Sequence, residues 1–210
     1  YTPSLYFKRL PFMQGDLQLE ENQERLEILT KVMNLQGTKY LVLPQNIYMT
    51  DDCLLGYTSR IKDAKTIEDI SLDSKLDDVI KAFKLLRKDI KILASNRIFN
   101  YDTTSNNILF DGKMYLIDFD NSIYSDDRVY LRTLHNIFET LCICLMKNDL
   151  DSPILMERDL EKLEENFKSL KSTNYDLYFE LLRWKLENYA KSKVKTVGDL
   201  RKCLSLTKRG

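Results

Sequence analysis

Apolar positions along the chain change character near residue 65. Through the first sixty residues the pattern is mixed, short runs plus one stretch at helical spacing, and from Lys65 onward helical spacing prevails. The segment "SLYFKRL" is short, rich in aromatics and bracketed by Pro3 and Pro11, so it predicts a strand. Residues 17–35 set Leu19, Leu26, Leu29, Val32 and Met33 near one face of a helix, with Gly37 placed to end it. "YLVLP", "NIYMT" and "LLGYTSRI" predict further strands, the last two joined by a hairpin turn at Asp51 and Asp52. Residues 71–93 place Leu76, Val79, Ile80, Phe83, Leu86, Ile90 and Leu93 on one side of a long amphipathic helix. "NILF" and "MYLIDF" predict two short strands around an Asp-Gly turn. "LHNIFETLCICLM" is apolar nearly all round and predicts a buried helix. Residues 155–206 predict more helix, with Leu160, Leu163, Phe167, Leu182, Trp184, Leu186 and Tyr189 as packing positions.

This order predicts an α+β protein of two lobes. A small strand-rich lobe with one helix covers residues 1–63, and a larger, mostly helical lobe covers 64–210 and carries a hairpin region at 99–120. The polar linker "IKDAKT" lies between them, and junctions of this kind favour pockets. The 210 residues are 43% hydrophobic and 30% charged, the usage of an ordinary globular protein. Lys plus Arg number 32 and Asp plus Glu number 32, so nothing global points to nucleic acid or an anionic membrane as partner. No apolar run approaches the ~18 residues of a membrane span, and the N-terminus lacks the apolar stretch of a signal peptide. The chain opens on Tyr1 rather than Met, so the natural chain is expected to have been cut or to begin further upstream. The four cysteines form no CxxC and the chain has one His, which argues against zinc and for reduced, cytoplasmic thiols. Cys142 and Cys144 read as buried hydrophobes, and His135, opening an apolar helix, as structural.

The candidate chemistry is concentrated in "FNYDTTSNNILFDGKMYLIDFD". Asp102, Asn107, Asp118 and Asp120 punctuate pieces that are otherwise strongly apolar. Acids at the edge of a core call for an electrostatic partner. By contrast, the pairs Asp51-Asp52, Asp77-Asp78 and Asp126-Asp127 read as turn or helix-end acids.

The span 102–120 resembles the catalytic region of the protein-kinase-like superfamily, which includes protein kinases and small-molecule phosphotransferases of the aminoglycoside and choline kinase type. The pattern is an Asp, an Asn five residues on, a hairpin, then an Asp-Phe-Gly or similar triplet. Asp102 and Asn107 have that spacing, and Asp118-Phe119-Asp120 fills the triplet. The acid in the third place leans toward the small-molecule branch. The resemblance implies ATP and Mg²⁺ as cofactors, Asp102 as the catalytic base on the attacking hydroxyl, and Asn107 and Asp118 as the metal ligands. It implies that Lys8 grips the nucleotide phosphates and pairs with a Glu of the following helix. Glu24 is the chosen partner, with Glu20, Glu21 and Glu27 also available. "GYTSRIKDAKT" resembles the strand and linker that receive adenine, "NIFETLCICLM" the buried helix, with Asn136 at its first position, and "TVGDLRKCLSL" the closing helix.

Departures from the pattern are equally specific. Asn100 stands in place of the usual His, Tyr101 follows it, and Thr104 replaces a Lys or Arg. No Ala-Pro-Glu motif follows, and only about fifteen residues separate Asp120 from the buried helix, which leaves little platform for a protein substrate. The six glycines never form GxGxxG. Either the Gly-rich loop lies upstream of Tyr1, or the protein never had one. Two functions are therefore expected from the resemblance. The first is an ATP- and Mg²⁺-dependent phosphotransferase acting on a small-molecule or protein hydroxyl. The alternative is a pseudokinase that binds nucleotide or a regulatory partner.

Overall fold

The computed structural model describes residues 5–60, 63–147, 152–169, 171 and 174–207. Strand β1 (Leu5–Arg9), the single turn α1 (Phe12–Gly15) and helix α2 (Glu20–Met33) lead into strands β2 (Pro44–Met49) and β3 (Leu54–Arg60). These three strands form an antiparallel sheet in the order β1-β3-β2, with Asp51 and Asp52 at the predicted hairpin turn. The short strand β4 (Lys65–Thr66) comes next, then helix α3 (Leu76–Ser95) and strands β5 (Ile98–Asn100), β6 (Ile108–Phe110), β7 (Met114–Leu116) and β8 (Ser122–Tyr124). The chain then turns helical through α4 (Val129–Met146), α5 (Arg158–Lys168), α6 (Tyr175–Ala190) and α7 (Val197–Thr207). The protein is thus a mixed α+β structure, with three small antiparallel sheets among the described residues. The division expected at 63–64 falls beside Ile61 and Lys62, which lie outside the described residues.

Several expectations change at the level of pairing. Of "YLVLP" only Pro44 joins the first sheet, as the first residue of β2. Leu41 instead forms a lone parallel bridge to Leu116, the Val42 N–H donates to the Leu116 carbonyl at 2.9 Å, and the Leu116 N–H donates to the Tyr40 carbonyl at 2.9 Å. The cause sits on α3. The buried carboxylate of Asp89 accepts the backbone N–H groups of Lys39 and Tyr40, the first at 2.7 Å, and draws this stretch away from the sheet. The linker supplies a strand, because β4 pairs with β6 and β6 with β7. The two-stranded ribbon of β5 and β8 is also unforeseen. Three-residue strands are too short to show a period, and only their pairing defines them.

One apolar core joins the sheet to the helices, running from Leu10, Ile28 and Leu54 through Leu41 and Leu116 to Leu86, Leu134 and Leu204. In α2 the buried face is Asn22, Ile28, Leu29 and Val32, whereas Leu19 precedes the helix and stays exposed. Phe138 on α4 sits at the hub of an aromatic cluster, with Tyr175 at 4.4 Å, Phe167 at 5.2 Å, Tyr178 at 5.3 Å and Phe179 at 5.6 Å between ring centres. Trp184 and Tyr189 do not pack as expected. They are 62% and 49% exposed, because α6 turns its Tyr175, Tyr178, Phe179, Leu182 and Leu186 face inward. Trp184 follows Leu182 by two residues, which is about 200° around the helix. Cys53, Cys142, Cys144 and Cys203 are free thiols, the last three of them buried. Among the described residues no helix is long and apolar enough to cross a membrane.

Replacing Phe138 with Ala removes the hub of that cluster. The expected cost is about 3–5 kcal/mol of folding stability, read as a lower denaturant midpoint with an unchanged slope. Trp184→Ala, outside the cluster, should change folding stability by less than about 0.5 kcal/mol.

Candidate functional site

Side chains alternate across a strand, so Tyr6 and Lys8 of β1 share a face while Phe7 takes the other. Lys8 stands directly across from Tyr57 on β3, and the two project side by side. The neighbouring Gly56 makes this approach possible: a Cβ there would lie 2.0 Å from the Lys8 carbonyl oxygen, and its φ is +148°. Lys8 and Tyr57 reach the same carboxylate. The Lys8 ammonium donates to Asp118 Oδ2 at 2.6 Å, and the Tyr57 hydroxyl donates to Asp118 Oδ1 at 2.6 Å. Asp118 lies just past β7, at φ +64°, a left-handed conformation that costs a non-glycine residue on the order of 1–3 kcal/mol. This turn ends the predicted "MYLIDF" strand early. The Asn100 carboxamide adds a third hold, donating from Nδ2 to the Asp118 carbonyl at 2.9 Å.

Asp120 occupies the same neighbourhood and is only 3% exposed. Its Oδ1 lies 3.8 Å from Lys8 Nζ and has no hydrogen-bond partner. Its backbone carbonyl accepts from Arg25 Nε at 2.8 Å. Burial, followed by the adjacent Asp118 carboxyl, pushes the Asp120 carboxyl up to about 7. Burial also raises Asp118, but hydrogen bonds from Asp120, Lys8 and Tyr57 outweigh it and hold that carboxyl below its ordinary value. Two close carboxyls do not ionise together at low cost, and the one nearer the ammonium keeps the charge. Lys8 is raised despite its partial burial, because both acids favour the charged amine. Tyr57 is raised by burial and by the same two acids, so it remains a donor.

The second half of the site is built from carboxamides. Asn100, fully buried at the end of β5, accepts the Asp102 N–H on Oδ1 at 3.1 Å while its Nδ2 holds Asp118. Asn107 Nδ2 donates to the Asp102 carbonyl at 2.9 Å, which leaves its Oδ1 as the atom free to ligate. The Ile117 N–H donates to the Asn107 carbonyl at 3.0 Å, setting Asn107 beside the turn that bears Asp118. Asn121 Nδ2 donates to Asp102 Oδ2 at 3.0 Å.

A cavity of about 320 Å³ lies against these groups. Lys8, Tyr57, Asn107 and Asp118 wall its polar end, and Val42, Leu109 and Ile117 give it an apolar side. Ala64 and Thr66, from the predicted adenine-facing linker, also line it, together with Tyr6, Ser59 and Asn106. A larger concavity of about 650 Å³, between Leu26, Lys31 and Tyr124, is open and holds none of the clustered acids.

The structure therefore brings Lys8, Asn107 and Asp118 together around one cavity. Asp102 lies outside its lining, one hydrogen bond away through Asn107. The expected pairing of Lys8 with Glu24 is not formed. Glu24 Oε1 accepts the Tyr124 N–H at 3.2 Å, and Lys8 is held by Asp118 and Asp120 instead. The α2 side chain that reaches the acid-bearing turn is Arg25, one residue on. Sequence reasoning missed Tyr57, Asn121 and Arg25 and treated Asn100 only as a departure. A lone tyrosine in a strand and an asparagine in a loop carry no positional signal until their partners are known.

Among the described residues no three His, Cys, Asp or Glu side chains group into a metal site. The set on offer is Asp118, the Asn107 carboxamide oxygen and the orphaned, buried Asp120 Oδ1. These are hard oxygen donors, which suit Mg²⁺, an ion commonly held by one or two carboxylates with phosphates and water completing its shell. No protein-family model matches the chain, and no curated protein matches it at a significant level.

Asp120→Asn tests the proton assignment. Folded Asp120 keeps its proton to about pH 7, whereas the unfolded side chain loses it near 3.8, so stability falls as pH rises through that window. Without divalent cations, the variant should melt above the parent at pH 8, by about 2–4 °C for each kcal/mol recovered. The gap should close toward pH 4, and a gap independent of pH would contradict the assignment.

Proposed function

We propose that this chain is an ATP- and Mg²⁺-dependent phosphotransferase with the two-lobed arrangement of the protein-kinase-like superfamily. The observation that carries the proposal is the convergence of Lys8, Asn107 and Asp118 on the polar end of a cavity whose other side is apolar. Such a cavity offers an apolar shelf for a nucleobase and cationic or oxygen-donor groups for phosphates. The three residues come from separate parts of the chain, and a chance cluster of loop acids has no reason to include a strand lysine.

On this reading Asp118 and Asn107 would hold the metal, which when bound would neutralise charge on the phosphates. Lys8 exchanges its carboxylate partner for phosphate oxygens as nucleotide enters. Asp102 has Oδ2 fixed by Asn121, so Oδ1 is left to accept the proton of the acceptor hydroxyl. The acceptor oxygen bonds to the terminal phosphorus, the bond to the ADP oxygen breaks, and the hydroxyl proton passes to Asp102. The acceptor is a small-molecule or protein hydroxyl, and the short stretch between Asp120 and α4 favours the smaller one. A cytoplasmic setting, with ATP, Mg²⁺ and reducing conditions, suits the four free thiols.

One observation favours a second reading, a nucleotide-responsive pseudokinase. Both Asp118 carboxylate oxygens are already engaged, by Lys8 and by Tyr57, an arrangement that serves as a structural latch as well as a resting active site.

Mg-ATP should raise the melting temperature by mass action, an added stability of about 2.7 kcal/mol at a hundredfold excess over Kd. Asp118→Asn should abolish the Mg²⁺-dependent part of that shift. Asp102→Ala should keep the shift and lose about 10²–10⁴-fold in transfer of labelled phosphate to a hydroxyl-acceptor panel. No shift with Mg-ATP would overturn both readings, and a shift without any transfer would favour the pseudokinase.

A further inference from the structure

The two donors on Asp118 differ in kind. Lys8 is a cation on a flexible stem, its side chain 30% exposed at the cavity mouth. Tyr57 is a neutral hydroxyl on a rigid ring, 3% exposed and fixed in the middle of β3. A divalent cation approaching Asp118 repels the ammonium and replaces it, since both seek the same negative charge. It does not repel the phenol. The hydroxyl can stay on Oδ1 while Oδ2 becomes the metal-facing oxygen.

From this geometry we infer that Tyr57 is a positioning residue of the metal site, holding Asp118 as a one-oxygen ligand, whereas Lys8 is the cation that the metal displaces. The inference rests on the phosphotransferase reading and deepens it. A carboxylate bound through one oxygen needs its other oxygen fixed, or it rotates away from the productive direction. Here the need is sharper because the Asp118 backbone sits at φ +64°, with Asn100 holding only its carbonyl. The carboxyl group itself is held by Tyr57 on Oδ1 and Lys8 on Oδ2, with the Asp120 carboxyl beside them.

The two donors therefore have opposite effects on the affinity for a bare divalent ion. Tyr57→Phe keeps the ring and its packing and removes one hydroxyl. It should weaken Mn²⁺ binding at least about tenfold, the usual effect of losing such a support. Lys8→Met removes the competitor and should tighten Mn²⁺ binding. The measurement is the bound fraction of Mn²⁺ by electron paramagnetic resonance, without nucleotide, on chains whose melting curves show that they fold. Opposite signs in the two variants support the inference. Equal Mn²⁺ affinity in the parent and Tyr57→Phe, or loss of affinity in Lys8→Met, overturns it and leaves the phosphotransferase reading standing. A parent chain that binds no Mn²⁺ either alone or with an ATP analogue overturns the inference and the metal-dependent reading together.

Discussion

Lys8 on β1 and Tyr57 on β3 close on the carboxylate of Asp118, each at 2.6 Å, and through that single group the sheet is tied to the turn after β7. A half-buried charged pair is not a source of net stability by itself, because desolvation offsets much of its Coulombic gain. What the pair supplies is geometry. Asp118 keeps a backbone conformation that few side chains tolerate because its carboxylate and its carbonyl are held from three directions. The same hold separates the two acids of the triplet: Asp118 keeps its charge beside the ammonium, and Asp120, buried with an unpartnered oxygen, keeps a proton to about pH 7.

Around this pair the protein uses neutral amides where titratable groups would compete for the same proton. Asn100 serves two loops at once, with its oxygen on the Asp102 N–H and its nitrogen on the Asp118 carbonyl. Asn107 and Asn121 bind the backbone and the carboxylate of Asp102. A carboxamide carries a donor and an acceptor and no charge, so these braces add no field to a site already crowded with acids. Helix α2 joins the network through Arg25 on the Asp120 carbonyl and Glu24 on the Tyr124 N–H, which makes the register of that helix part of the site's geometry.

Much of the fold was legible in the chain. The long periodic runs of α3 and α4 exceed any ambiguity between helix and strand, and the Asp-Gly turn announced the β6–β7 hairpin. Asp102, Asn107, Asp118 and Asp120 stood out as polar residues punctuating apolar pieces, whereas Lys8 was marked only by the family resemblance. The partner of Lys8 was misassigned, since four helix glutamates stood at plausible spacing and none was marked by its own residue type. The three-residue strands β5 and β8 and the bend at residues 39–42 were illegible, because each depends on a partner distant in sequence.

The sequence by itself determined which segments become helices and hairpins and which residue types sit at the edge of the core. Those follow from local periodicity and turn chemistry, which act over a few residues. Only the tertiary structure decided that Lys8 meets Asp118 rather than Glu24, that Tyr57 joins it, and that Asp120 is the carboxyl to hold a proton. Those outcomes turn on distances of a few ångströms between groups up to 110 positions apart, and in a low-dielectric cleft such distances set both charge and hydrogen bonding.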